Sequence, residues 1–135
     1  MDIKKLNTAF ETIVEKKLEL AQLDYSNERY DELEEELHDL EDELIDEFGE
    51  DLEDVLHEIH DEYCPDNDVL LPIAYMAKKY IKKEDGNYDV TTDQGVIVDV
   101  DDYPGKISRL VFLPKPIRIV LMVENQVGME VWKAG

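Results

Sequence analysis

A single cysteine, Cys64, stands among the 135 residues, so no disulfide can close within the chain. A reducing compartment, the cytoplasm, is the simplest setting for such a chain. Serine is almost missing: Ser26 and Ser108 are the only two, and neither sits in a nucleophile elbow. None of the six glycines belongs to a phosphate-cradling loop. No apolar run approaches the ~18 residues of a membrane span. The opening MDIKKLNTAFETIVEKK breaks its apolar positions with charge and offers no small-residue cleavage site, so it does not read as a secretory signal. Positive charge is the scarcest commodity, with 14 Lys and Arg against 35 Asp and Glu and a net charge of −21.

Where the acid lies matters more than how much there is. Residues 1–23 carry four acids and four lysines, and residues 69–135 carry nine of each sign. Residues 24–68 carry 22 acids and one base, Arg29, so the whole imbalance sits in that segment. General solubilisation would spread acid over every surface; this chain concentrates it. At 43% hydrophobic residues the chain is apolar enough to fold, and its length suits one domain over 1–135. That domain has a helical, acidic part (1–66) and a charge-neutral part made of helix and β-sheet (67–135).

The spacing predicts an α+β fold: an antiparallel acidic helical hairpin, further helices, then a C-terminal antiparallel β-meander. Ile3, Leu6, Phe10, Ile13, Val14, Leu18 and Ala21 recur at helical spacing over 2–23. Ser26 or Asn27 can cap a second helix, along which Tyr30, Leu33, Leu37, Leu40 and Leu44 step by three and four. The short connection makes the pair an αα-hairpin. Gly49 marks a break or kink. A third helical stripe follows, Leu52, Val55, Leu56, Ile59 and Tyr63, and Pro65 ends it. Asp68 can cap one more helix over 71–81, stopped by Asp85-Gly86, although VLLPIAYM over 69–76 also reads as a strand. Beyond Gly86 the period changes to two. Val96–Val100, Ile107–Leu113, Ile117–Val123 and Met129–Trp132 read as strands, with turns at Tyr103–Lys106 and Pro114–Pro116 and a hairpin loop at Glu124–Gly128. The run IRIVLMV, apolar on both faces, is expected to be a central strand.

On the second helix, Glu28, Asp31, Glu35, Asp39, Asp42 and Asp46 fall on the face opposite Leu33, at gaps of three and four. Each like-charge step destabilises a helix by about 0.2–0.5 kcal/mol, a penalty that lysines at alternate positions would have removed. The expected function is therefore non-catalytic binding of a basic protein partner through this ridge, as a nucleic-acid mimic or an inhibitor or immunity-type cap. Asp54, Glu58 and Asp61 would extend it. Nucleic acid itself would be repelled. The competing reading is a structural or oligomerisation module: the acidic face is only solvated, and IRIVLMV with Trp132 forms a homodimer interface.

The remaining chemistry is sparse. Glu53, His57, His60 and Cys64 share one sector of the third stripe and are ligand types for zinc. Glu53 and Cys64 lie about 16 Å apart along a helix, too far to share an ion. Exposed histidines on a charged face are the plainer reading, and no cofactor is expected. Asp99, Asp101 and Asp102 read as an acidic turn lacking the glycine and glutamate of an EF-hand. Lys78, Lys79, Lys82 and Lys83 read as a solvated helix end. Carboxylates flanking Cys64 and His60 oppose thiolate formation, so the pair does not read as a nucleophile and base, and no enzyme is expected.

Overall fold

The computed structural model describes residues 1–126 and 128–134. It is an α+β fold: two long antiparallel helices, then a four-stranded antiparallel sheet. The first helix, α1 (Ile3–Ala21), starts at Asp2, whose side chain accepts the N–H of Lys5. The second, α2 (Glu28–Tyr63), starts at Asn27, whose side chain accepts the N–H of Arg29. Three ion pairs fasten the hairpin: Lys5–Glu47 at 2.5 Å, Lys16–Glu36 at 3.1 Å and Arg29–Glu19 at 3.6 Å.

The break expected at Gly49 does not occur; α2 is one helix of 36 residues. A mid-helix glycine costs about 1 kcal/mol relative to alanine. Phe48, Leu52 and Leu56 on either side are 3%, 1% and 0% exposed. Each such burial stabilises by about 1.5–3 kcal/mol, so continuity wins. The third stripe is thus the C-terminal third of α2, which stops at Cys64 with Pro65 following.

The helix expected over 71–81 is absent as well. Only Pro72–Tyr75 winds, as a single 3-10 turn, and the chain then runs extended. Long-range partners override the local spacing. The Tyr75 hydroxyl is bonded to His60 and the Tyr80 hydroxyl to the carbonyl of Phe112, while Met76 bridges to Phe112 in parallel. A small antiparallel hairpin follows, β1 (Ile81–Lys82) with β2 (Tyr88–Asp89), so Asp85-Gly86 is a hairpin turn with Gly86 at φ +85°. Lysines 78, 79, 82 and 83 accordingly end no helix, and Lys82 pairs with Glu15 at 2.8 Å.

The main sheet runs in chain order: β3 (Val96–Val98), β4 (Ser108–Leu113), β5 (Arg118–Val123) and β6 (Met129–Lys133). The expected central position of IRIVLMV is met by β5, flanked by β4 and β6. A turn with a cis Lys115–Pro116 bond joins β4 to β5. Of the expected loop Glu124–Gly128, Val127 lies outside the described residues. Leu110, Phe112, Ile119 and Leu121 form the face toward the helices, where Phe10 meets Phe112 at 5.7 Å between ring centroids. Helices and sheet share one buried apolar cluster.

Candidate functional site

The six ridge carboxylates, Glu28, Asp31, Glu35, Asp39, Asp42 and Asp46, are all exposed along α2. Among the described residues none of them lies in an ion pair. Among the described residues, the only acids of α2 that the lysines of α1 reach are Glu36 and Glu47, on its flank. Because α2 is unbroken, the file continues past Asp46 through Glu50 and Asp54 to Glu58 and Asp61, again at steps of three or four and all exposed. Glu50, which the ridge expected from spacing passes over between Asp46 and Asp54, stands four residues beyond Asp46 on the unbroken helix. From Glu28 to Asp61 the row extends about 50 Å at ~1.5 Å per residue. The helix holds 19 acids and one base over about 54 Å, one net charge per roughly 3 Å. Duplex DNA carries one per ~1.7 Å and a single strand one per ~3.4 Å. As one unbroken helix, α2 resembles a single strand in linear density.

The histidine and cysteine stripe is divided by the fold. His57 is exposed and Glu53 half-buried, and both edge a shallow hollow floored by Val69, Leu70 and Leu71. His60, expected at the surface, is instead 2% exposed. Its Nδ1 faces the carbonyl of Asn67 at 3.0 Å and its Nε2 faces the Tyr75 hydroxyl at 2.8 Å. A carbonyl can only accept, so Nδ1 donates and Nε2 accepts from the hydroxyl. The Tyr75 oxygen in turn accepts the N–H of Leu70. This closed relay ties the chain after α2 back onto the helix and leaves His60 no free nitrogen for a ligand. Cys64 is fully buried, and burial, with Asp101 and Asp99 nearby, pushes its thiol up to about 11. Such a thiol is inert. Among the described residues no three His, Cys, Asp or Glu side chains gather where they could hold a metal ion. Asp99, Asp101 and Asp102 are exposed; the backbone N–H of Asp99 donates to Asn67 and that of Asp101 to the carbonyl of Tyr63.

Two polar contacts fix the β1–β2 hairpin on α1. Glu15 accepts from the Lys82 ammonium and from the Tyr88 hydroxyl. Those bonds hold the Glu15 carboxyl below its usual range, while burial, and next Glu15, raise the Tyr88 phenol. On another side of α1, Lys17 sets its ammonium on the carbonyl of Ala77 at 2.9 Å, and burial lowers its pKa. Among the described residues no helix is long and apolar enough to cross a membrane. Comparison of the chain with protein-family models, with curated proteins and with solved structures finds no match.

Proposed function

We propose that the protein is a non-catalytic binding module whose α2 ridge engages a basic protein partner. One observation carries this reading: ten carboxylates lie in file on an exposed helix face, while Lys5, Lys16 and Arg29 pair with Glu47, Glu36 and Glu19 instead. The arrangement destabilises the free protein, and a cationic partner would relieve that strain. A linear density near that of a single nucleic-acid strand favours an extended basic surface or segment as the target, held as an inhibitor or strand mimic would hold it. Binding would be fast and salt-sensitive. The partner is cytoplasmic on this account, and neither cofactor nor nucleic acid takes part.

A second reading rests on β6, which has no strand paired to its outer edge among the described residues. Two copies could join there, with Val131 and Trp132, both half-buried, at the seam. The test is capture from native lysate at low salt with stepwise salt elution. It compares wild type with a variant carrying Asp31→Asn, Glu35→Gln, Asp39→Asn, Asp42→Asn and Asp46→Asn, while solution mass is measured at low and high salt. One basic protein retained by the wild type and lost by the variant supports the ridge. A salt-insensitive dimer with equal retention by both supports the β6 edge.

A further inference from the structure

The sheet has a second face, turned away from the helices, and it holds an arginine with nothing to bind. Ile97, Arg109 and Met122 stand in one cross-strand row on β3, β4 and β5. Arg109 is on the opposite side of β4 from Phe112, hence away from α1. In a chain with 35 carboxylates it makes no ion pair and no side-chain hydrogen bond among the described residues. Its Nε is buried with no acceptor. A buried guanidinium N–H left unpaired is costly, and more so than a neutral one. The side chain lines a cleft of about 640 Å³ with Ile107, Met122, Asp93 and Glu124. That volume is within the ordinary range for small-molecule sites.

The walls of the cleft are held in place. Gly95, at φ +94°, packs so closely on β4 that a Cβ there would sit 2.4 Å from the carbonyl oxygen of Leu110. This fixes the loop carrying Asp93. The Asp93 Oδ1 accepts from the Thr91 hydroxyl and the Gln94 amide, bonds that keep its carboxyl below the usual range and so ionised. On the other wall, Glu124 Oε1 accepts the N–H of Ile107 at 3.4 Å. Asp93 Oδ2 and Glu124 Oε2 have no protein donor among the described residues. One unpaired cation and two carboxylates with a free oxygen each thus edge a partly apolar cleft.

We propose that this cleft binds a small zwitterion, a free amino acid or a short peptide. Its carboxylate would lie on Arg109, its ammonium between Asp93 and Glu124, and its apolar side chain on Ile107 and Met122. A simple anion would meet two like charges, and a simple cation would meet Arg109; a ligand with both charges satisfies all three groups. The planar fork of arginine matches a carboxylate in two parallel bonds. The site is independent of the α2 ridge and does not rest on it.

The test is an NMR titration that follows the Nε–H of Arg109 and the amide of Asp93. The probes are L-leucine, the dipeptide Leu-Leu, leucinamide, which lacks the carboxylate, and 4-methylpentanoate, which lacks the amine. Saturable shifts are expected at millimolar L-leucine or Leu-Leu, and whichever binds tighter tells free amino acid from peptide. Leucinamide and 4-methylpentanoate should each bind at least about tenfold more weakly, the loss of one charge-assisted contact. Arg109→Gln and Asp93→Asn should weaken the zwitterion by a similar factor, with the amide spectrum elsewhere showing each variant folded. No saturable shift with either zwitterion overturns the proposal. So does equal binding of 4-methylpentanoate, or full binding by Arg109→Gln.

Discussion

Neutralising the ridge should stabilise the free protein. The variant with Asp31, Glu35, Asp39, Asp42 and Asp46 changed to Asn or Gln removes six like-charge steps along the file, from Glu28–Asp31 to Asp46–Glu50, and five more with Glu32, Glu34, Glu36 and Glu43. At about 0.2–0.5 kcal/mol each, they sum to about 2–5 kcal/mol. Asn and Gln have nearly the helix propensities of Asp and Glu, so the backbone preference hardly changes. One term opposes: Asp31 is in the first turn of α2, where negative charge favours the helix by about 0.3–1 kcal/mol. A net gain of about 1–4 kcal/mol corresponds to a melting temperature higher by about 3–16 °C for a domain of this size. The assay is thermal unfolding followed by circular dichroism at low ionic strength and again near 1 M salt. There the Debye length is about 3 Å, less than the ~5–6 Å between successive carboxylates, so the difference should nearly vanish. Added salt or Mg²⁺ should likewise raise the wild-type melting temperature. If the variant melts no higher at low salt, or if its advantage persists at high salt, the ridge carries no such penalty.

Other outcomes follow from single positions. His60→Leu strips the Asn67 carbonyl and the Tyr75 hydroxyl of a buried partner, and a loss of about 2–4 kcal/mol is expected from denaturant unfolding. Gly49→Ala should gain about 0.5–1 kcal/mol in the same assay: an added Cβ meets only the Ile45 side chain, at 3.2 Å, and that half-buried side chain can give way. Glu15→Gln tests the lowered carboxyl. A folded pKa below the unfolded one contributes stability above the unfolded value, and that stability is lost as pH falls through the folded value. Wild type should therefore exceed the variant at neutral pH and lose its lead in acid, as read from stability measured against pH.

Much of the architecture was legible from spacing. The α1 stripe, a cap at Ser26 or Asn27 (Asn27 takes it), the Leu33–Leu44 seam and the change of period after Gly86 each report a local preference that the fold keeps. Local cues mislead where distant partners outweigh them. Gly49 looks like a break until the burial of Phe48, Leu52 and Leu56 is counted against it. Residues 71–81 have helical spacing, but Tyr75 and Tyr80 are claimed by His60 and by a strand carbonyl. Asp85-Gly86 signals a hairpin as well as a helix stop, and only the pairing of Ile81 with Asp89 decides. The ridge could be read from helical geometry because one helix carries it, short of Glu50. The Arg109 cleft could not, because its walls come from a strand, a loop near residue 93 and the turn after β5, which only the sheet register brings together.

The central claim is that the α2 carboxylates form a binding surface. Its most direct test is the affinity of the captured partner measured across a salt series, for wild type and for the five-site variant. The account predicts tight wild-type binding that weakens steeply with salt, and variant binding that is weak with a much shallower slope. Equal affinities with the same slope would contradict it and leave α2 a solvated face.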